Sequence, residues 1–343
     1  MNLKLSLFLI PALCACATTI TDAPKNTNDE NDTSTEIDIQ EDTASTDTDT
    51  EEFDTAEPDP VDTGSSELEP EDTEIPEETD TPEEIITIAA LQSKGSYTYT
   101  ETLDSRSVNS CDSPIGFTHV ETSMANAPTV FLAHGFSRSS SNMMGWAQHW
   151  ASWGFDVVVV DMCHWMDHVA NGEAISELST ALGISSPIFA GQSAGGMASF
   201  IAASSSTGSA GVLGLDATDD ISGSGRAVAP QVSVPVLGLA GEPSDCNANN
   251  SGVDMLKAAP NATLLRVNDA DHCDFESPTD GLCTVFCQNT TATISEQNIN
   301  STVLSLSTAG LLWLSGLEPA ASDLWIGSQQ QTLIGLGLVE SIQ

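Results

Sequence analysis

Basic residues are scarce in this chain. Among 343 residues there are eight Lys or Arg against 50 Asp or Glu, so the formal net charge is −42 at pH 7. A surface this acidic repels phosphate backbones and anionic lipid headgroups. The charge balance therefore excludes nucleic acid and anionic membrane surfaces as expected partners.

The amino terminus lacks an apolar run long enough to span a bilayer. Lys4 precedes a run over 5–13 that is typical of an export signal. The following Leu13-Cys14-Ala15-Cys16 resembles the bacterial lipobox. We therefore expect 1–16 to be a lipoprotein signal peptide, with a diacylglyceryl group on the Cys16 thiol. The mature protein would then be lipid-anchored in the bacterial cell envelope or exposed at the cell surface. An ordinary secretory signal is the alternative.

Residues 17–84 have few apolar side chains and almost no positive charge. They contain 26 acidic residues and one basic residue, Lys25, with Thr, Pro and Ser filling most of the remainder. Such a segment cannot bury enough apolar surface to offset its chain entropy, and its like charges extend it. We expect a disordered, solvated stalk, and the alternative is an acidic segment that binds calcium or a basic partner.

The folded unit is predicted over 85–343. About 260 residues suit one large domain better than two. This part carries 24 acidic and six basic residues, a charge of −18. We expect a monomer that meets a membrane only through its lipid anchor.

No Cys-x-x-Cys spacing occurs among the eight cysteines. Cys14 and Cys16 belong to the signal, and the other six form an even set in an exported domain. That pattern favours three disulfides, although six cysteines allow 15 pairings. The alternative is a zinc site at Cys283-x-x-x-Cys287 with His272, and we expect neither metal nor organic cofactor. The six are Cys111, Cys163, Cys246, Cys273, Cys283 and Cys287.

Apolar periodicity predicts an α/β fold with a mostly parallel sheet and helices on both faces. Two alternating segments are typical of antiparallel edge strands, and later continuous runs are typical of buried parallel strands. Predicted strands cover 97–102, 115–121, 130–133, 155–160, 188–190, 211–215, 234–240 and 263–267. Predicted helices cover 143–153, 169–182, 197–203 and 299–314.

The central motif is Gly191-Gln192-Ser193-Ala194-Gly195, between a predicted strand and a predicted helix. At a nucleophile elbow the serine occupies a strained backbone position, and the flanking glycines let strand and helix approach closely. The five residues alone are weak evidence, and their context strengthens them. Ser193 is therefore the candidate nucleophile.

Six histidines follow the signal, and His272 alone lies in a loop after a late predicted strand. The chain order of nucleophile, acid and histidine also favours it as the general base. The alternative is an exposed loop histidine bonded to Asp271 or Asp274.

Two carboxylates are candidates for orienting His272. Asp216 and Asp245 both follow predicted strands, at the carboxyl edge where such a sheet places its site. Their structural alternatives are a helix cap and a turn former. The residues alone leave this choice open.

The oxyanion hole is expected from two backbone N–H groups. One belongs to Ala194, after the nucleophile, and the other to Phe136 in His134-Gly135-Phe136, where glycine lets the backbone approach a bound carbonyl. We expect His134 to support this loop and not to act as a base.

Together these segments resemble the α/β-hydrolase superfamily over about residues 127–275. They are similar to the branch that holds chlorophyllases, platelet-activating-factor acetylhydrolases and dienelactone-hydrolase-like esterases. In the first two the acid follows the strand after the elbow, so the resemblance selects Asp216 over Asp245. The stalk and extra cysteines depart from that pattern, so no chlorophyll or phospholipid substrate is implied. The segments are 130–136, 191–196, 214–216 and 271–275.

The sequence thus predicts an exported serine hydrolase that cleaves a small-molecule, lipid or polymer ester through an acyl-enzyme on Ser193. An amidase or peptidase with the same triad and a non-catalytic binding domain remain as alternatives. Trp146, Trp150 and Trp153 have helical spacing typical of core packing, and Trp165 is expected to line the acyl pocket.

Overall fold

The computed structural model describes residues 86–342, so the predicted signal and stalk lie outside the described residues. Nine strands form one sheet in the order β1-β2-β4-β3-β5-β6-β7-β8-β9. The strands are β1 (Tyr99–Arg106), β2 (Ile115–Thr122), β3 (Thr129–Ala133), β4 (Asp156–Asp161), β5 (Ile188–Gln192), β6 (Gly211–Leu215), β7 (Val236–Ala240), β8 (Ala262–Val267) and β9 (Val339–Ile342).

The six central strands, from β4 across to β8, pair in parallel, and β1, β2 and β9 pair antiparallel. Each of β3, β5, β6 and β7 is buried along its whole length, as continuous apolar runs require in a sheet covered on both faces. The predicted mostly parallel α/β fold is confirmed.

Helices pack on both faces of the sheet. Alternate residues of a strand therefore lie in two separate cores. Val130 and Leu132 belong to the core that includes Trp150 and Val303, while Phe131 belongs to the core that includes Ile175 and Phe200. No described helix has both the length and the apolarity for a membrane span. The α-helices are α1 (Ile88–Leu91), α2 (Met144–Ser152), α3 (His168–Ala181), α4 (Ala194–Ser205), α5 (Ser224–Val228), α6 (Ser251–Lys257), α7 (Gly281–Cys287), α8 (Glu296–Ser315), α9 (Asp323–Ile326) and α10 (Ser328–Gly335), and the 3-10 turns are Ser140–Asn142, Ala229–Gln231, Asp245–Asn247, His272–Phe275 and Pro319–Ser322.

Helices α7, α9 and α10 and strand β9, all near the carboxyl end, were not predicted, and two of them bear on the site. β9 was not predicted, because its four residues are too few to show a period, and it places an antiparallel edge strand after β8. His272 therefore follows the last parallel strand and not the last strand. Helix α7 was also not predicted, since its seven residues make only about two turns and are too few to show a helical period.

The prediction of three disulfides is confirmed. Cys111 pairs with Cys163, Cys246 with Cys287, and Cys273 with Cys283. Cys283 and Cys287 therefore belong to different disulfides, and neither offers a thiolate to zinc while those bonds are intact. Two bonds join α7 to the segments beside Asp245 and His272.

Candidate active site

Ser193 stands at a sharp turn between strand β5 and helix α4. Its backbone has φ 55° and ψ −123°, a left-handed conformation that costs a non-glycine residue about 1 to 3 kcal/mol. The neighbouring turn after β6 holds it there: Ser193 N–H donates to Leu215 O at 3.1 Å, and Thr218 N–H donates to Ser193 O at 3.1 Å. The strain is thus maintained by backbone hydrogen bonds from two adjacent strands.

The glycines of the motif have the close contacts that the sequence prediction gave them. A methyl group on Gly191 would overlap the backbone of Gly195, and one on Gly195 would overlap the carbonyl oxygens of Ala133 and His134. These contacts press α4 against both β5 and the end of β3. Any side chain at either glycine would push the helix away and displace Ser193.

Asp216 and His272 meet in a buried contact. His272 Nδ1–H donates to Asp216 Oδ2 at 2.6 Å, and the two residues are only 7% and 1% exposed, respectively. Asp216 also accepts from Gly241 N–H at 2.9 Å and from the Asn247 side-chain amide at 3.2 Å. Three donors thus hold this carboxylate in one orientation, and His272 is fixed as the Nδ1–H tautomer.

Asp245, the alternative acid, does not reach His272. It is exposed and begins the 3-10 turn Asp245–Asn247, two residues before the amide that donates to Asp216. Of the two carboxylates that the sequence left open, the structure brings Asp216 to the histidine. The role of the Asp245 segment is to carry Asn247.

Gln192 occupies the other ring nitrogen of His272. Its amide Nε2 lies 3.1 Å from His272 Nε2 and 3.4 Å from His272 O, while its Oε1 is buried without a partner. Within residues 86–342, Ser193 Oγ makes no hydrogen bond to His272 in this state. With Nδ1–H directed at Asp216, Nε2 is the accepting nitrogen, so the Gln192 amide holds the position that the Ser193 hydroxyl would need.

The loop after β3 lies directly over the elbow. A methyl group on Gly135 would overlap Gln192 Oε1 and would come within 3.1 Å of Ser193 Cβ. In the described part of the chain, neither Phe136 N–H nor Ala194 N–H donates to another protein group. Both predicted oxyanion donors therefore have free N–H groups on segments that flank Ser193.

His134 supports this loop, as expected from the sequence. Its Nδ1–H donates to Gly135 O at 2.8 Å, and its Nε2 accepts from Met162 N–H at 3.2 Å. Burial lowers the pKa of His134, so the neutral ring that makes both bonds is favoured. With both nitrogens occupied by backbone groups, this histidine is not free to act on a substrate.

Three residues that sequence analysis did not single out connect the loop to the His272 segment. Arg138 donates through Nε and Nη2 to the two carboxylate oxygens of Glu276 at 2.7 and 2.5 Å, and Nη2 also lies 3.1 Å from Asp280. Such bidentate pairs are directional as well as strong. Nothing in the local pattern marks these residues, because they are paired across more than 130 positions of sequence.

Trp146 also holds the segment that bears His272. Its Nε1–H donates to Phe275 O at 3.0 Å, and its ring stacks on Trp150 in the core. The expected core role of this helix is thus combined with positioning of the turn that bears His272. Trp165, expected to line an acyl pocket, has a largely exposed ring that packs edge-to-face on Phe136, with 5.1 Å between the ring centroids.

An acidic cavity of about 540 Å³ adjoins the segment after His272. It is lined in part by Asp271, Asp274, Glu276 and Glu296. Burial, reinforced by the charge of Asp271, raises the pKa of Asp274 to about 7, although Asp274 accepts from Asp271 N–H. Asp274 is therefore partly protonated near neutral pH.

No protein-family model and no curated protein matches this chain. The groups around the elbow are therefore the basis for a function: the Ser193 hydroxyl on a strained backbone turn, an imidazole held by a buried carboxylate, and two free N–H donors. Acyl transfer uses groups of these types. The sequence predicted each of them as a candidate and did not single out Gln192, whose place inside the motif was the available signal.

Proposed function

We propose that the protein is a serine hydrolase that cleaves carboxylic esters through an acyl-enzyme on Ser193. The observation that carries this proposal is the buried 2.6 Å contact between Asp216 and His272 beside the strained elbow. A structural histidine could satisfy its nitrogens on backbone groups, as His134 does. A buried carboxylate aligned on Nδ1 instead prepares an imidazole to receive a proton at Nε2.

In the acylation step, the Gln192 amide first releases Nε2 of His272. His272 then takes the proton from Ser193 Oγ as that oxygen attacks the ester carbonyl. The tetrahedral oxyanion accepts from the N–H groups of Phe136 and Ala194. His272 returns the proton to the departing alkoxide, so an alcohol leaves and the acyl group remains on Ser193.

Deacylation repeats these steps with water as the nucleophile. His272 accepts a proton from water, the hydroxide attacks the acyl carbon, and the same two N–H groups bind the second oxyanion. Return of the proton to Ser193 Oγ releases the carboxylic acid. The Asp216 carboxylate stabilises the imidazolium that forms twice in each turnover. These steps use neither metal nor organic cofactor.

The resemblance to α/β-hydrolases of the chlorophyllase-like branch is part of this proposal. The mostly parallel sheet, the elbow after β5 and the acid after β6 support it. We further propose an exported protein attached to a bacterial membrane through Cys16. The three disulfides support export, since such bonds persist in oxidising compartments.

A fluorophosphonate probe tests the proposed nucleophile. The folded wild-type protein should be labelled, with the added mass on the peptide that contains Ser193, and Ser193→Ala should not be labelled. Asp245→Asn serves as a matched control that should label like the wild type. A folded protein that resists the probe would instead indicate a binding domain on this scaffold.

A further inference from the structure

Exposed large apolar side chains concentrate at one edge of the sheet. Residues 86–342 contain eleven of them, and seven follow the carboxyl ends of the parallel strands β3, β4, β6 and β8. Carboxyl ends of parallel strands meet at one edge, which is also where Ser193 lies. We call these seven the apolar rim: Phe136, Trp165, Met166, Ile221, Leu282, Val285 and Phe286.

Helix α7 contributes three of the seven on one face. Leu282, Val285 and Phe286 have the i, i+3, i+4 spacing that aligns side chains, and they are 58%, 77% and 72% exposed. The disulfides from Cys283 and Cys287 tether the helix to the rest of the domain. Two disulfides therefore fix the position of a short helix whose apolar face is exposed. An exposed apolar patch of this kind marks a contact surface.

The remainder of the rim lies around the oxyanion loop. Phe136, the second proposed oxyanion donor, packs against Trp165 at 5.1 Å, and Met166 follows directly. Arg138, two residues after Phe136, pairs with Asp280 at the start of α7. The two parts of the rim are thus joined through the loop that covers Ser193, and both are continuous with the candidate active site.

Charge restricts what such a surface can contact. Residues 85–343 carry −18, and the carboxylates near the rim include Asp167, Asp220 and Asp280. Arg138 is held between Glu276 and Asp280 and is not available to an anionic ligand. An anionic interface would be repelled, whereas an uncharged apolar phase would gain the rim contacts without an electrostatic cost.

We propose that the apolar rim binds the surface of a water-insoluble, uncharged acyl ester, namely an emulsified neutral acylglycerol, and presents it to Ser193. This inference rests on the proposed function for the cleavage step. The binding step is independent of it and can be measured on protein that cannot turn over. The preferred substrate of the site is then an aggregated ester, and a dissolved ester is cleaved less efficiently.

The binding test uses the mature chain with Ser193→Ala and with Cys16→Ser, so that no lipid anchor binds the emulsion, and flotation with a trioctanoin emulsion. The protein should float with the emulsion. The added triple change Leu282→Ser, Val285→Ser, Phe286→Ser should lower the bound fraction at limiting emulsion by about tenfold or more, because three apolar side chains lose contact with the apolar phase. The matched control changes three exposed apolar residues elsewhere, Leu103→Ser, Ile326→Ser and Leu336→Ser, and should float like the parent.

Several outcomes would overturn the inference. They are no flotation of the parent, equal loss in the control, tighter binding to phosphatidylglycerol vesicles than to the emulsion, or a dimer that the α7 triple change dissociates. Equal melting temperatures establish that the variants are folded. In protein that retains Ser193, the α7 change should also lower the ratio of emulsion to dissolved-ester hydrolysis. Flotation of the parent, with no fluorophosphonate labelling of the protein that retains Ser193, would support binding by the apolar rim and contradict the proposed hydrolase.

Discussion

Ser193 and Asp216 are the residues that directly follow the neighbouring strands β5 and β6, whereas His272 lies on a 3-10 turn beyond the end of β8. The first two are held by backbone hydrogen bonds between strands. The histidine segment is held by contacts outside the sheet. They are the Cys273–Cys283 bond, the Arg138–Glu276 pair, the Trp146 indole, and backbone hydrogen bonds of Ser277 with Asn142 and Gly145. Both sides of the site are buried, yet only the first is part of the sheet.

Because of this difference, we expect substitutions on the two sides to affect catalysis and fold stability to different extents. On the strand side a change alters the chemistry directly, because the sheet keeps its shape when one side chain is replaced. On the histidine side the same fixation comes from a few long-range links, so breaking one should affect both turnover and folding.

The largest effect is expected from Asp216→Asn. With an amide in place of the carboxylate, His272 is held in the wrong tautomer, and kcat/KM should fall by about four orders of magnitude while the fold persists. Asp245→Asn should retain most activity, because Asp245 is exposed and does not contact His272. Ester hydrolysis by both variants, with folding checked by circular dichroism, makes the comparison. A dead Asp245→Asn beside an active Asp216→Asn would place the acid after β7.

The next effect is expected from Gly135→Ala. The added methyl group would overlap Gln192 Oε1 and crowd Ser193 Cβ, so the loop has to move and its oxyanion donor moves with it. Loss of one such donor lowers kcat by about 10² to 10³. Gly183→Ala provides a steric control, since a methyl group there meets no atom within 4 Å, although its positive φ costs some stability. Near-normal turnover by Gly135→Ala would show that this loop does not supply an oxyanion donor.

Breaking the Cys273–Cys283 bond tests the histidine side. The double change to Ser should lower the free energy of unfolding by about 2 to 3 kcal/mol, as expected for a ten-residue separation. It should also lower kcat/KM by about tenfold, because His272 adjoins the lost link. Replacing the Cys111–Cys163 bond should cost about 4 kcal/mol across its longer loop, with turnover changed by less than about twofold. Urea unfolding and ester hydrolysis of both variants test these values. A larger loss of kcat/KM in the Cys111–Cys163 variant than in the Cys273–Cys283 variant would contradict the expected difference between the two sides.

The last prediction concerns Asp274, and it is a change in stability with pH. Burial raises the pKa of Asp274 to about 7, so the folded protein binds this proton more tightly than the unfolded chain, where aspartate titrates near pH 4. Ionisation therefore lowers the free energy of unfolding as pH rises from about 4 to 7. Asp274→Asn keeps an acceptor for Asp271 N–H and should gain stability relative to wild type over that range. Urea unfolding at pH 4.5 and pH 8 should show the larger difference at pH 8. A difference independent of pH would mean that Asp274 does not titrate in this range.

The same contrast explains how far the sequence could predict the site. Ser193, its glycines and the strands β3 to β8 are encoded locally, in short apolar runs and fixed spacings. The Asp216 position was selected by resemblance alone, because its distance from His272 depends on sheet order. The Arg138–Glu276 pair, the Trp146 contact and the disulfide pairings are products of tertiary packing across long separations. They have no local period, and none could be predicted from composition or spacing.

The most direct test of the proposed hydrolase is to trap its intermediate. Wild-type protein would be mixed with p-nitrophenyl butyrate, quenched in acid within the first turnovers, digested and examined by mass spectrometry. A butyryl group on the peptide that contains Ser193, absent from Ser193→Ala, is the predicted result. Turnover by a protein whose butyryl group lies on another residue, or turnover that persists in Ser193→Ala, would contradict the account.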